Sequence, residues 1–389
     1  MQNILFLSFW TPPIIRPQSI LVSKMLPYWR NYGLNPIVLT YQESGVWKTD
    51  FDVHKIRKVR GSVANLRGQI MRSVFLRIAF RKAKKLCIQH NIKAIFSFSN
   101  PQESNVLGAM LSKELNLPFI SHFSDPYLSN AYKSHNLRAL KFITKEEALI
   151  ISRSTSVIVT NQNAKELIST PYKTQQAKFK VVEHCFEPAL YPEIDPQNEK
   201  FTISHIGAFY KQRSPEPFFE ILKIFLTLRP DLTKRINIKF IGGANPYAGY
   251  TENELKKLIE FHHLEDLITL MSPITFEESL KEMKKSDCLL AIDANTSPSP
   301  FLPSKLVDYL GAQRAILAIT PSDSPTHLAL KKCEIPTFNY DQLNQAAGYL
   351  KDLMEGKLSK TDWSLTKGYQ AQETQRELCN IILATIKRT

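Results

Sequence analysis

Short runs rich in Ile, Val, Leu and Phe alternate with helix-period segments in two successive series, and this alternation constrains the chain more than any other feature. A strand that returns through a helix re-enters its sheet parallel to the one before, so each series predicts an α/β, doubly wound parallel sheet with helices on both faces. In the first series, residues 3–8, 35–40, 93–97, 118–122, 156–160 and 180–183 read as strands, with helices at 19–32, 65–90, 102–115 and 137–153. Residues 187–200, with Pro188, Pro192 and Pro196 among polar neighbours, have the composition of an interdomain linker. The second series follows, with strands at 202–207, 237–242, 267–271, 288–293, 315–319 and 335–338. The expected organisation is a domain at 1–190 carrying a basic helical segment at 55–90, a domain at 200–365, and a C-terminal helix at 366–389 whose packing the pattern leaves open. A length of 389 residues suits two domains of the usual ~100–200 residues. Open parallel sheets bind ligands outside the carboxyl ends of their strands, which makes a cleft between the two domains the expected site.

Hydrophobic residues at 43% and charged residues at 22% are near the averages of folded domains, and no run approaches the ~18 apolar residues of a spanning helix. Disordered, collagenous and integral membrane classes are thereby excluded. The opening Met1-Gln2-Asn3-Ile4-Leu5-Phe6-Leu7 has no basic region ahead of its apolar run, so a cytoplasmic protein is expected. Cys87, Cys185, Cys288, Cys333 and Cys379 lie far apart and read as reduced structural residues. No metal is expected: His262 and His263 are neighbours on a helix and cannot both point at one ion.

Charge is less ordinary. Fifty Lys and Arg against 36 Asp and Glu give +14, and residues 53–102 hold twelve Lys or Arg and no acid. Such a patch attracts polyanions. The helix at 65–90 places Leu66, Ile70, Val74 and Ile78 at i+4 spacing beside Arg67, Arg72, Arg77, Arg81, Lys84 and Lys85, with Met71, Phe75, Leu76 and Phe80. Two readings compete: Met71, Phe75, Leu76 and Phe80 press into an interface while the arginines meet an anionic membrane surface, or Leu66, Ile70, Val74 and Ile78 are buried in the core and the arginines are solvated. Periodicity does not separate them.

Chemistry concentrates in the second series. Pro303 suits the first turn of a helix, whose unpaired N–H groups and positive dipole end form an anion site, with Ser304 in that turn and Lys305 adding a full charge. Asp308, three residues on, offers a carboxylate to a ribose diol. After the strand at 202–207, Gly207 allows a sharp turn into Lys211 and Arg213 at a helix start. Fixed cations of this kind stabilise a departing diphosphate. Gly242-Gly243 supplies a third, weaker loop.

These segments resemble retaining GT-B glycosyltransferases of family 4, which use nucleotide sugars and often build bacterial surface polysaccharides. Pro303-Ser304-Lys305-Leu306-Val307-Asp308-Tyr309-Leu310-Gly311-Ala312 resembles the family's "PxKxxEYLAxG", and Ser204-His205-Ile206-Gly207 through Pro215 resembles its "hxGxxYxxRxP". Ile4 through Pro13 is similar to the opening strand and acceptor-side loop, and Val181 through Glu187 stands where the turn before the linker falls. The resemblance implies two Rossmann-like domains facing each other across a cleft, acceptor side first and nucleotide-sugar side second. It implies Arg213 and Lys305 on the donor diphosphate with Lys211 helping, and Asp308 on the ribose. It also implies Pro13 and Arg16 on the acceptor side, and His122 or Asp125 facing the acceptor, as base or orienting carboxylate. No cofactor is expected beyond the nucleotide-sugar co-substrate; the acceptor would be a glycan or a lipid-linked sugar. The family's two glutamates are separated by seven residues, and the first falls at Pro300, so that carboxylate is missing or moved. The family's glycines after the first strand are also replaced, by residues that include Arg16.

The leading expectation is a metal-independent retaining glycosyltransferase of cell-surface polysaccharide assembly, cytoplasmic, with attachment to the inner face of the membrane through 55–90 as one of the two open readings of that segment. A non-catalytic polyanion-binding protein is the first rival; no nucleic-acid module is recognisable, and no nucleic acid is expected as partner. A nucleotide-sugar epimerase on the same scaffold is the second.

Overall fold

The computed structural model describes residues 1–41, 47–57, 65–130, 135–245, 249–297 and 299–387. Residues 58–64 of the basic segment, 246–248 of the third loop and Pro298 lie outside the described residues. The chain forms two units, Met1–Cys185 with Ala371–Thr389, and Phe186–Gln370.

In the first unit the elements run β1 (Gln2–Ser8), α1 (Pro17–Met25), β2 (Leu34–Tyr41), β3 (Asp52–Ile56), α2 (Leu66–Gln89), β4 (Ala94–Phe98), α3 (Glu103–Leu115) and β5 (Phe119–Phe123). They continue with α4 (Leu137–Arg153), β6 (Ser156–Val159), α5 (Gln162–Ser169) and β7 (Phe179–Val181). The seven strands are all parallel, in the order β3-β2-β1-β4-β5-β6-β7. Helices cover both faces, so β4 and β5 are buried at every position instead of alternating. Along β1, Leu5 and Leu7 enter the core layer shared with α2 and α3, while Ile4 and Phe6 enter the layer around Trp29.

The second unit runs β8 (Phe201–Ile206), α6 (Glu216–Leu228), β9 (Ile236–Ile241), α7 (Glu252–Phe261), β10 (Ile268–Met271), α8 (Phe276–Lys285) and β11 (Cys288–Ile292). Then come α9 (Ser304–Ala312), β12 (Ala315–Ile319), α10 (Pro325–Lys332), β13 (Thr337–Phe338) and α11 (Leu343–Met354). Its six parallel strands are ordered β10-β9-β8-β11-β12-β13. The final helix α12 (Ala371–Lys387), whose packing the sequence pattern left open, belongs to the first unit: Leu378, Cys379 and Ile382 join the Trp29 layer, and Gln375 Oε1 accepts from Trp29 Nε1 at 3.2 Å.

Three local expectations are corrected. The helix expected at 19–32 ends at Met25 and continues as a 3₁₀ segment, Leu26–Tyr32, because Pro27 has no N–H to donate and crowds the preceding turn. Strand β3 was not expected; it is an edge strand of mixed polar residues with only Ile56 buried, a weak propensity signal. On α2 the core-facing side chains are Phe75, Leu76, Ala79, Ala83, Leu86 and Cys87, whereas Leu66, Ile70, Val74 and Ile78 are exposed. The reading that buries the i+4 row is therefore wrong, and so is the placing of Phe75 and Leu76 at an interface, because both face the core. Arg72 departs in the opposite sense. It is buried and pairs with Glu103 at 3.0 Å and with Glu146, and these carboxylates hold it charged against the penalty of burial.

Candidate functional site

Ligand crevices of doubly wound sheets open where the connections leave two neighbouring strands in opposite directions. In the second unit that point lies between β8 and β11. The carboxyl ends of these strands deliver Gly207 and Asp293, and α9 delivers Lys305.

Gly207 has φ +108°, a conformation L side chains rarely adopt, and a Cβ there would stand 3.9 Å from Lys305 Nζ. The ammonium thus lies beside bare backbone. Its hydrogen-bond partner is His205 Nε2 at 2.9 Å. His205 Nδ1 lies 3.0 Å from the Leu290 carbonyl, which can only accept, so Nδ1 carries the proton and Nε2 receives the bond from lysine. Burial first, then Lys305, keeps His205 neutral, and its ring stacks on Phe209 at 4.0 Å. Burial, reinforced by the Arg213 charge and opposed by Asp293, lowers Lys305 to about 7.

Arg213 reaches this group through a turn in which its N–H bonds to the Tyr210 carbonyl at 2.8 Å. Its Nη2 is 3.8 Å from Asp293 Oδ1, a long ion pair, and both Arg213 Nε and Asp293 Oδ1 are buried without a hydrogen-bond partner. A buried guanidinium with an unused donor is costly unless an oxygen arrives to take it. Asp293 is held by Thr320 Oγ1 on Oδ2 at 3.0 Å and, through its carbonyl, by the Tyr340 hydroxyl. Helix α9 begins at half-buried Ser304 behind Pro303, which gives no side-chain cap, so the dipole's positive end adds to the two cations.

The other donor-side residues are placed differently. Lys211 is exposed, pairs with Glu254 at 3.0 Å and lies over the Tyr250 ring at 3.9 Å, away from the ion pair of Arg213 with Asp293. Asp308 is buried; the Tyr191 hydroxyl donates to its carbonyl at 3.0 Å and lies 3.5 Å from Oδ1. Sequence reasoning missed His205 and Asp293. Asp293 was legible as an acid directly after the apolar strand β11, whereas His205 shares β8 with Thr202 and Ser204 and did not stand out.

In the first unit the corresponding point lies between β1 and β4. Gln18 Nε2 ties them together, donating to Ser8 Oγ at 3.1 Å and to the Phe98 carbonyl at 2.8 Å. His122, on β5, is buried and stacked on Phe98 at 4.2 Å; burial and then His184 lower it to about 3. A conjugate acid that strong makes a poor base near pH 7, so the expected role of His122 as a base is not favoured by its surroundings. Asp125 is half-buried and accepts from Asn100 Nδ2 at 2.7 Å. Pro13 and Arg16 are exposed, with the Arg16 guanidinium 4.6 Å from the centroid of the Trp10 ring. Among the described residues no group of three or more metal-ligating side chains could hold an ion.

No protein-family model matches the sequence, and no curated protein matches it. Solved structures do. Anabaena HepE in complex with UDP is 14% identical, with a TM-score of 0.67 over 98% of this chain and 100% of that one. Sucrose-phosphate synthase from Thermosynechococcus elongatus is 13% identical, with a TM-score of 0.66 over 100% and 97%. A putative UDP-N-acetylglucosamine 2-epimerase from Listeria monocytogenes is 11% identical, with a TM-score of 0.62 over 100% and 97%. Similarity at these identities speaks to the fold, and the fold is GT-B: α/β, with two Rossmann-like domains.

Proposed function

We propose that this chain is a retaining, metal-independent glycosyltransferase that moves a sugar from a nucleotide-sugar donor to a glycan or lipid-linked acceptor in cell-surface polysaccharide assembly. The observation that carries the reading is that Lys305, in the first turn of α9 and beside Gly207, and Arg213, beside Asp293, stand together at the β8–β11 switch point. Loss of the sugar leaves negative charge on the donor diphosphate. Two partly buried cations and a helix dipole already fixed in place stabilise that charge without reorganising. HepE, a structural neighbour, binds UDP and UDP-glucose, which supports a nucleoside diphosphate as the ligand class. Asp308 would hold the ribose, with Ser304 N–H and Lys211 at the rim of the phosphate site. On the acceptor side, Asp125 would orient the incoming hydroxyl and His122 would shape its pocket, with Pro13 and Arg16 on the approach.

Thermal unfolding with nucleotide tests the reading. UDP at 100 times its dissociation constant should stabilise the protein by about 2.7 kcal/mol. Arg213→Ala and Lys305→Ala should each abolish most of that shift, and an undiminished shift in both refutes this placement of the diphosphate. The epimerase alternative, favoured by the Listeria neighbour, separates cleanly: an epimerase converts UDP-sugar alone, whereas a transferase releases UDP in proportion to added acceptor.

A further inference from the structure

The exposed face of α2 is not explained by any donor chemistry. Leu66 is 57% exposed, Ile70 54%, Val74 39%, Ile78 44% and Ile88 70%. At 100° per residue these five side chains fall within one third of the helix circumference, and Arg77, Arg81, Arg67 and Lys85 fall in the same arc. All four cations are exposed. The opposite face, with Phe75, Leu76, Ala79, Ala83 and Leu86, is the one that packs into the core, so the apolar outer row is surplus to folding. A core helix that carries a second apolar face in water pays for it unless that face has an occupant.

We propose that this face of α2 docks the protein on an anionic lipid bilayer, aliphatic side chains entering the headgroup boundary and arginines meeting lipid phosphates. Charge complementarity selects the occupant: Arg67, Arg77, Arg81 and Lys85 are exposed on this arc, and α2 itself carries no Asp or Glu. Nucleic acid matches the cations but offers nothing to the isoleucines, and an aliphatic row interleaved with basic residues is the pattern of helices that lie in the membrane interface plane. Attachment would be peripheral, because no helix among the described residues is long and apolar enough to cross a membrane. The inference rests on the first unit's surface and stands apart from the donor site in the second.

Co-sedimentation of the full chain with phosphatidylcholine vesicles, and with vesicles containing about 30 mol% phosphatidylglycerol, tests it. The expected result is binding to the anionic vesicles that weakens with salt and little binding to the neutral ones. Removing one cation near such a surface weakens binding about fivefold, so Arg77→Ser with Arg81→Ser should weaken it about thirtyfold. Ile70→Ser with Val74→Ser should release the protein even at low salt. Both pairs are solvent-exposed, and an unchanged UDP thermal shift in each variant keeps this test separate from the donor reading. Equal or negligible binding to the two vesicle types overturns the proposal. So does binding to an RNA homopolymer as tight as to anionic vesicles and indifferent to the Ile70 and Val74 changes.

Discussion

At the proposed donor site, Lys305 should make nucleotide binding pH-dependent, and its surroundings set the direction. Free, its ammonium sits at about 7, chiefly through burial and the neighbouring Arg213 charge. A diphosphate supplies the missing counter-charge, so the bound form is protonated and binding takes up a proton whenever the free lysine is neutral. At pH 7 half the free protein carries the charge, and at pH 8.5 only about 3% does. Affinity for UDP should therefore fall about 16-fold between these values, about 1.6 kcal/mol. The nucleotide does not obscure this, since a terminal phosphate with a second pKa of about 6 is already ionised across the range. His205 does not obscure it either, because burial keeps it neutral throughout. Titration calorimetry at pH 8 in two buffers of different ionisation enthalpy should report uptake of about 0.9 protons per UDP. Lys305→Gln should bind weakly and without slope. A wild-type affinity constant within twofold from pH 7 to 8.5, or the same slope in Lys305→Gln, refutes the assignment. The same shift has a consequence for the unliganded protein. Its folded-state value lies below the unfolded one, so the unfolded chain holds more protons between pH 7 and 10.5 and stability rises with pH across that window.

Two further changes probe the scaffold. Arg72→Met strands Glu103 and Glu146 around an apolar side chain and should cost the first unit about 3–5 kcal/mol in urea unfolding, followed by the fluorescence of Trp10, Trp29 and Trp47; a loss below about 1 kcal/mol contradicts the buried pairing. Gly311→Ala places a Cβ 2.4 Å from the Tyr191 hydroxyl oxygen, so it should destabilise the second unit by about 1–3 kcal/mol and weaken UDP binding by displacing Tyr191 from Asp308, whereas unchanged unfolding and affinity contradict this packing.

Lys305 stood out in the sequence as a candidate because its chemistry is local: a helix start with Pro303 and a lysine two residues on favours an anion wherever the helix goes. Arg213 was legible for the same reason, as a cation just past a strand-end glycine. Lys211 sits two residues from Arg213 with the same charge, and only the path of the turn and the position of Glu254 turned it outward. His205 and Asp293 gained meaning from β8 and β11 being neighbours, a pairing of strands more than eighty residues apart that no local pattern encodes.

The sequence by itself determined the two parallel sheets, since apolar strands and intervening helices leave the backbone one economical way to satisfy its hydrogen bonds while burying both faces. Tertiary structure decided which face of an ambiguous helix meets the core. On α2 the inward row carries Phe75, Ala79 and Ala83 and the outward row carries Ile70, Val74 and Ile78, so the more aliphatic row is the exposed one. The packing of α3 and α4, which bring Glu103 and Glu146 to Arg72 on the inward side, goes with that choice. Hydrophobic periodicity measures how apolar a face is; the shape of the partner surface determines whether it is buried.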